Sequence, residues 1–279
     1  MTTNLSRRGF LGGGLAAAGA LALGRPSRAL ALGSAPFRLG LQSYSLRGYK
    51  EGGRSSLEKA LAVSHKLGVR YWEAFPGHLP TTADEAAVAG YKKALEGAEV
   101  QVVGYGVVHI QKGSPENRKY FEFAKAMGIE YLSIDPDPDA FDDLDKLVDE
   151  FQVGAGIHNH GPGHRYDLID VVAKAIKGHS PLVGCCIDCG HFLRSKEDPV
   201  RAAEVFGKRV FGVHLKDVKD AEHFTILGKG DLNYPGLFKV LKANDYKGLV
   251  ALEYEENEQD PADDVRACLE EALKAIDSL

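Results

Sequence analysis

The chain has 279 residues, of which 44% are hydrophobic and 26% are charged, an ordinary composition for a folded protein. Its formal net charge is −5, and no stretch of the sequence concentrates basic residues. A nucleic-acid partner is therefore not expected. The length is enough for one domain with a large buried core.

The N-terminal 31 residues have the features of an export signal. The pair Arg7-Arg8 precedes a Gly/Ala/Leu stretch over residues 12–24, and Ala29-Leu30-Ala31 forms a small-x-small cleavage site. The apolar stretch is too short and too rich in glycine to span a bilayer comfortably. We therefore expect a twin-arginine signal peptide over residues 1–31, a periplasmic or secreted protein, and no membrane contact after cleavage.

The remaining residues, 32–279, alternate short apolar runs with segments of helical periodicity. The predicted strands are 37–43, 69–75, 100–110, 131–135, 153–160, 183–188, 210–216 and 248–254. The predicted helices are 55–67, 84–95, 115–127, 144–151, 168–176, one that opens at 198–199, 235–243, and one that opens at 260–261 and runs to 276. Helix starts are marked by a capping box from Ser55 to Glu58 and by Ser114 before Pro115.

Eight strand–helix pairs predict a parallel sheet with helices outside it. An open doubly wound sheet would show a glycine-rich phosphate loop after the first strand, and here residues 42–45 read QSYS. The expected fold is thus a single α/β domain over residues 32–279, a closed (β/α)8 TIM barrel, whose active site lies at the carboxyl ends of its strands.

The four cysteines do not form a spaced disulfide framework. Cys185, Cys186 and Cys189 fall in what is predicted as one apolar strand, where cysteine behaves as a small hydrophobic residue. The alternative is a zinc site, which would need two thiolates converging on one face.

Unusual polar residues stand at the ends of the predicted strands. Each alone has an ordinary explanation, such as a helix cap or a hydrogen-bonded surface histidine. Strands five to eight, however, all finish an apolar run with His, Asp or Glu, and in a barrel these ends lie side by side. Two imidazoles and two carboxylates at one place suit Mn²⁺, Fe²⁺, Co²⁺ or Zn²⁺. The candidates are Glu73, His109, His158, His160, Asp188, His191, His214, Lys216 and Glu253.

The strings IDCGHF, GVHLKD, GKGDLNYPGLF and ALEYE resemble those of the xylose isomerase-like barrels, over residues 37–276. This sugar isomerase/epimerase superfamily includes tagatose and psicose epimerases, inosose dehydratase and endonuclease IV. Carried over by position, the resemblance implies that His158, Asp188, His214 and Glu253 hold one divalent metal. The family's substrate-binding histidine, three residues after the aspartate, falls on His191.

This sequence departs from the family pattern at strand five. Epimerases have Glu where this chain has His158, within IHNHGPG. A subgroup with similar strings includes lyases that act on 3-keto-glycosides. His160 stands two residues on and shares a face with His158, so it is an alternative ligand.

The resemblance implies removal of a proton next to the carbonyl of a sugar, with the metal, Mn²⁺ first and Zn²⁺, Co²⁺, Fe²⁺ or Mg²⁺ as alternatives, stabilising the enolate. Glu253 is the expected ligand and base, and Glu73 a second candidate base. His191 and Lys216 are expected to orient hydroxyl groups or protonate an oxygen, with His109 and His160 as further substrate-binding residues.

An isomerase or epimerase is the first functional hypothesis, and a lyase or dehydratase acting on keto-glycosides or inososes is the alternative. Two rivals from other classes are a phosphodiesterase like endonuclease IV and a sugar-binding barrel without catalysis. A small-molecule sugar is the expected partner. The sugar, the metal and the oligomeric state, including a homo-oligomer, stay open.

Overall fold

The computed structural model describes residues 35–279, and they form a closed barrel of eight parallel strands. The barrel strands, numbered β1–β8 in chain order, are Arg38–Gln42, Tyr71–Ala74, Gln101–Ile110, Tyr131–Pro136, Gly154–His158, Val183–Asp188, Val210–Leu215 and Leu249–Leu252. Each strand pairs with its neighbours along the chain, and β8 closes the barrel against β1. The predicted (β/α)8 fold is confirmed, and the predicted export signal lies outside the described residues.

Helices cover the outer face of the barrel. Those of the described chain, numbered α1–α9, are Leu57–Leu67, Glu85–Gly97, Pro115–Met127, Phe141–Phe151, Ile169–Ala175, Cys189–Arg194, Pro199–Phe206, Tyr234–Ala243 and Ala262–Asp277. Eight of them were predicted, whereas α6 was not, because six residues are too few to show helical periodicity. In residues 35–279 we find no helix with the length and apolar character that a bilayer crossing needs.

Helix starts follow the capping rules, with one correction. Ser114 accepts a hydrogen bond from the backbone of the first turn of α3, and Pro115 is its first residue, as predicted. The predicted capping box from Ser55 to Glu58 is wrong. Ser56 is the N-cap of α1, and its side chain accepts a hydrogen bond from the amide of Lys59. Ser55 belongs instead to a short antiparallel hairpin, where its hydroxyl donates to the carbonyl of Arg47.

A tyrosine fills the interior of the barrel below the carboxyl ends of the strands. The Tyr131 ring lies between Gly104 and Gly212, where no side chain would fit. A Cβ on Gly212 would stand 2.7 Å from ring atoms, and a Cβ on Gly104 would stand closer still. The ring therefore requires glycine on both flanking strands. Its hydroxyl points upward and donates to Glu73 at 2.6 Å, which links the packed interior to the polar layer above it.

The loop after β7 is held by a single buried carboxylate. Asp217, in a short hairpin strand that follows β7, accepts hydrogen bonds from the amides of Gly228, Gly230 and Leu232 at 2.8–3.1 Å. These bonds satisfy backbone donors that would otherwise be buried without partners. The string GKGDLN at residues 228–233 therefore has a structural role, because three of its backbone amides are bound to Asp217.

Candidate metal centre and active site

Four of the predicted residues meet at the carboxyl ends of β5–β8. His158 and Asp188 are the last residues of β5 and β6, His214 is the fifth of six residues in β7, and Glu253 directly follows β8. All four are buried, with relative exposures between 0% and 8%. Because the strands are parallel neighbours, their ends bring these side chains to one point inside the mouth of the barrel.

The facing atoms are close enough to bind a single ion. One nitrogen or oxygen from each of the four residues lies within 4.8 Å of the other three. Nε2 of His158 is 3.0 Å from Nδ1 of His214 and 3.4 Å from Oδ2 of Asp188. Nδ1 of His214 is 3.1 Å from Oε2 of Glu253. The distances place two imidazole nitrogens and two carboxylate oxygens around one common centre.

The donor set fits a divalent metal. Oδ2 of Asp188 and Oε2 of Glu253 are buried and accept no well-formed hydrogen bond within the described chain. The nitrogens of His158 and His214 face each other, so their lone pairs repel unless a proton or a cation lies between them. A divalent cation bound by these atoms would satisfy both nitrogens and both oxygens at once.

Glu73 lies on the far side of His214 and fixes its orientation. Nε2 of His214 donates to Oε1 of Glu73 at 2.8 Å, which leaves the lone pair on Nδ1, facing the other ligands. Gln42 and Ser133 also donate to Oε1, at 2.8 and 2.7 Å, and Tyr131 donates to Oε2. Burial raises the pKa of Glu73, but His214 and these hydrogen bonds outweigh it and keep the carboxylate ionised.

This position corrects the expectation that Glu73 could act as a base. The side chain is fully buried and does not line the cavity above the metal centre. Its oxygens are taken by four donors, so no lone pair is directed at a substrate. The geometry supports a role in positioning His214 instead.

Lys216 places a positive charge against the ligand carboxylates. Its ammonium nitrogen is 3.0 Å from Oδ2 of Asp188, 2.8 Å from Oε2 of Glu253 and 2.5 Å from Oε1 of Glu255. Burial lowers the pKa of Lys216, but the three carboxylates outweigh burial and hold that pKa well above its ordinary value. Burial likewise raises the pKa values of Asp188 and Glu253, yet Lys216 leads the charges that bring both below their ordinary values. All three groups are thus charged at neutral pH.

A cavity of about 320 Å³ opens above the metal centre. Its two carboxylates, within the described part of the chain, are Glu253 and Glu255, and both come from the end of β8. Lys216 and the three imidazoles of His158, His160 and His191 supply further polar groups. The complete lining is Gln42, Tyr44, Phe75, Gly106, Val107, His158, His160, His191, Lys216, Glu253 and Glu255. The volume suits a small polar molecule.

Two cavity histidines are neutral at neutral pH. Burial, as the main cause, lowers the pKa of His160 to about 3 and that of His191 to about 4. Their rings stack, with centroids 5.7 Å apart. Arg194 lies 3.3 Å from Nδ1 of His191 and can only donate, so the proton of neutral His191 is on Nε2.

His158, rather than His160, is placed in the ligand cluster. β5 ends at His158, so the alternation of side chains that would have put both residues on one face stops there. Between them, Asn159 exchanges two hydrogen bonds with the backbone of Asp188, at 2.8 and 2.9 Å, and braces β5 against β6. His160 instead packs its ring against His158 and His164.

His109 is not brought to the cavity. Its side chain is 47% exposed and lies 3.8 Å from Asp135 and 3.4 Å from Asp137, on the rim of the barrel. The residue stands at the predicted end of β3, where β3 still pairs with β4 but has passed the end of β2, whose last partner on β3 is Tyr105.

The four cysteines are free and buried. Cys185 and Cys186 lie in β6, but Cys189 is the first residue of α6, so the expectation that all three share a strand is wrong. Cys186 approaches Glu73 and His214, and in the described residues no ligand group combines two cysteines. The arrangement required for a zinc–thiolate site is therefore not met there.

Several cavity residues were missed by sequence reasoning. Gln42, Tyr44 and Phe75 line the cavity, although no pattern distinguishes them from ordinary strand-end residues. Glu255 carried a usable signal, because it stands two residues after Glu253 and continues the same face of the chain. Its carboxylate holds the ammonium group of Lys216.

Comparisons with known proteins agree with this architecture. A family model described as a xylose isomerase-like TIM barrel matches residues 61–274. An inosose dehydratase of Clostridium tetani is 31% identical over 152 residues, which cover 47% of this chain and 49% of that protein. This chain thus spans about half the length of that relative. An inosose dehydratase of Mesomycoplasma hyopneumoniae is 24% identical over 273 residues, which cover 82% of this chain and 89% of that protein.

Solved structures share the fold. An uncharacterised protein of Parabacteroides distasonis superposes with a TM-score of 0.66 at 27% identity, covering 85% of this chain and 98% of that one. An L-ribulose 3-epimerase superposes with a TM-score of 0.68 at 14% identity, and the superposition covers 87% of this chain and 95% of that one. Because the family model covers most of the barrel and these neighbours have the same architecture, the chain belongs to the xylose isomerase-like TIM barrel family.

Proposed function

We propose that this protein is a divalent-metal-dependent enzyme that removes the proton next to the carbonyl of a cyclic keto-sugar or inosose and then eliminates a group from the adjacent carbon. The observation that carries the proposal is the one-sided placement of carboxylates. Glu253 and Glu255, the carboxylates of the cavity as far as the structure describes it, both come from the end of β8. The metal would be held by His158, Asp188, His214 and Glu253.

Glu253 is the base in this proposal. Its Oε2 faces the other ligands, while its second oxygen accepts no hydrogen bond from the described chain and belongs to a residue of the cavity wall. That oxygen is free to take the proton from the carbon next to the carbonyl. A bound divalent metal, Mn²⁺ being our first choice, would stabilise the negative charge that develops on the carbonyl oxygen.

His191 assists the elimination, because its Nε2–H can donate a hydrogen bond to the departing oxygen. The electron pair released by proton removal forms a carbon–carbon double bond as the bond from the next carbon to its oxygen substituent breaks. The departing oxygen takes the proton that Glu253 removed from carbon, so water or an alcohol leaves, an unsaturated ketone is the other product, and Glu253 returns to its carboxylate form. Lys216, which is held by Glu255, keeps a positive charge next to the Glu253 carboxylate.

The same geometry supports elimination over two-base epimerisation. A two-base mechanism needs proton acceptors on opposite faces of one carbon, and the family pattern supplies the second from strand five. This chain has His158 there, whose Nε2 lone pair is directed at the ligand cluster. Glu73, the other carboxylate considered, is behind His214 and saturated with hydrogen bonds. The inosose dehydratase names of the curated relatives also support a lyase.

Isomerisation on one face is the second candidate. It would use the same base, and Lys216, which lies 2.8 Å from Glu253 and lines the cavity, favours it because an ammonium group there can move a proton to and from substrate oxygens. The two reactions differ in whether a bond to oxygen breaks after the proton is removed.

The test is a screen of inososes, 3-keto-glycosides and ketoses with the Mn²⁺-loaded protein in D₂O. An unsaturated ketone, followed by its ultraviolet absorbance, together with a released alcohol or water, supports elimination. Deuterium at one carbon without bond cleavage supports isomerisation instead. Epimers carrying deuterium on the opposite face would exclude the one-sided mechanism. Metal content separates the rival functions: one ion per chain is expected, several would favour a phosphodiesterase and none a binding barrel.

A further inference from the structure

A cluster of charged and polar side chains lies on the rim beside the cavity and has no part in the chemistry described above. We define this rim cluster as His109, Asp135, Asp137, His164 and Arg165. His109 and Asp135 pair across β3 and β4, and His164 and Arg165 follow β5. The cluster stands on the β3–β5 side of the mouth, across the barrel from Glu253 and Glu255.

Asp135 is surrounded by donors and bonded to none of them. His164 Nε2 lies 3.6 Å away, and His109 Nδ1 and the Arg165 Nε lie 3.8 Å away, beyond hydrogen-bonding distance. Its Oδ1 is buried and accepts no hydrogen bond from the described residues. A buried carboxylate oxygen without a hydrogen bond has lost its water and gained no partner, and a bound donor recovers that loss.

The donors around Asp135 are already oriented. The amide of Tyr166 donates to Nδ1 of His164, so Nε2, the nitrogen nearest Asp135, is the donor of this ring. Arg165 is held in place by Asp137, at 2.6 Å. A hydroxyl group placed here would donate to Asp135 and accept from His164, and sugar hydroxyls do both.

A line of imidazoles joins the rim cluster to the metal centre. The ring centroids of His158 and His160 are 4.7 Å apart, and those of His160 and His164 are 4.3 Å apart. The Nδ1 atom of His160 is also buried without a hydrogen bond in the described chain. A ligand held both at the metal centre and at the rim cluster would therefore extend along all three imidazole rings.

The charges of the rim cluster exclude a phosphorylated ligand. Asp135 and Asp137 contribute two negative charges, and Arg165, already paired with Asp137, contributes one positive charge. The two carboxylates outnumber the single guanidinium, so a phosphate group would meet an excess of negative charge there. A neutral group rich in hydroxyls has no such penalty.

We propose that the rim cluster binds the hydroxyl groups of a second sugar ring, so that the substrate is a glycoside whose departing group rests on β3–β5. This inference rests on the proposed function for the identity of the departing group. It assigns Asp135 as the residue that determines whether a disaccharide or a monosaccharide is preferred.

Binding of unreactive sugars tests the inference without turnover. Glucose is compared with cellobiose, sophorose and trehalose by calorimetry on the Mn²⁺-loaded protein. We expect at least one disaccharide to bind about ten-fold more tightly than glucose. Asp135→Ala should lose most of that preference and leave the affinities for glucose and Mn²⁺ unchanged. Asp139→Ala, an exposed residue on the next turn, is the matched control and should behave as wild type.

Asp135→Ala is expected to fold, because the carboxylate makes no hydrogen bond in the described chain. Its melting temperature, compared with that of wild type, checks this. If the variant is unfolded, His164→Gln is the second variant, and the same loss of disaccharide preference is expected. Equal affinity for glucose and all three disaccharides, or tighter binding of glucose 6-phosphate than of glucose, would overturn the inference. The proposed function fails separately, if Asp188→Asn keeps both its metal and its activity while the disaccharide preference persists.

Discussion

His214 donates its Nε2 proton to Glu73 at 2.8 Å, and this single bond determines which nitrogen of the ring faces the ligand cluster. Imidazole ligands depend on such a partner for their tautomer and orientation. Glu73→Gln keeps the shape but removes the charge and one acceptor. We expect Mn²⁺ affinity to fall by roughly 10–100-fold. Calorimetric titration of the apoprotein measures it. Unchanged affinity combined with lost turnover would return Glu73 to the role of a base.

Asp188→Asn and Glu255→Gln should separate metal binding from catalysis. Asp188→Asn removes a ligand charge yet preserves the N-cap of α6, because asparagine caps as well as aspartate. We expect a folded barrel with no bound metal and no activity. Glu255→Gln should keep one metal per chain and lose part of its activity, because Lys216 is then less firmly held. Metal analysis and circular dichroism of both variants check this pair of outcomes.

His158→Glu should change the outcome of the reaction rather than abolish it. Glutamate at this place would still bind the metal and would add a carboxylate across the cavity from Glu253. We expect bound Mn²⁺, a lower share of elimination product and new exchange of substrate hydrogen on the opposite face. Product analysis in D₂O follows both. If His158→Glu and wild type give identical product ratios, the carboxylate placement does not control the reaction.

Buried His78 should make stability depend on pH. Burial is the first cause that lowers its pKa to about 4, against 6.5 for the exposed side chain. Between these values the unfolded chain binds more protons than the folded one, so stability falls as pH decreases from about 6.5 to 4. The contribution is at most about 3 kcal/mol. His78→Gln should flatten that part of a urea-denaturation series, measured against wild type at each pH; equal slopes would contradict it.

Export by the twin-arginine route stays a prediction from residues outside the described part of the chain. Replacing Arg7 and Arg8 with lysine keeps the charge but removes the guanidinium pair. We expect the precursor to accumulate in the cytoplasm, as seen by fractionation and immunoblotting. A single Arg28→Lys replacement, which leaves the pair intact, is the control. Normal periplasmic levels of the double variant would falsify the route.

The barrel was predictable because its elements are long enough to show their periodicity. β6 has the predicted bounds, Val183–Asp188, and α3 has the predicted start and end, with Gly128 in the left-handed conformation that stops a helix. The short pieces were not predictable. The hairpin that contains Ser55 and the six-residue helix α6 are too brief for any periodic signal to identify.

The cluster of candidate metal ligands was also predictable, whereas the depth of individual side chains was not. Four consecutive strand ends were enough to bring His158 and Glu253 together. The alternation of side chains along β2 predicts that Glu73 points into the barrel. Whether it lies at the mouth or beneath His214 depends on the stagger of the strands, which the sequence does not show. The stagger of β2 against β3, which leaves His109 on the rim beyond the end of β2, is a property of the same kind.

The ammonium group of Lys216 shares the two carboxylate oxygens that a metal would bind. The barrel consequently carries its own counter-charge, and we expect it to fold without the ion. This differs from small zinc domains, whose chains collapse when a chelator is added. An ion entering this centre would take the place of an existing cation contact, so we expect loading to be an exchange between two positive groups in an already folded barrel.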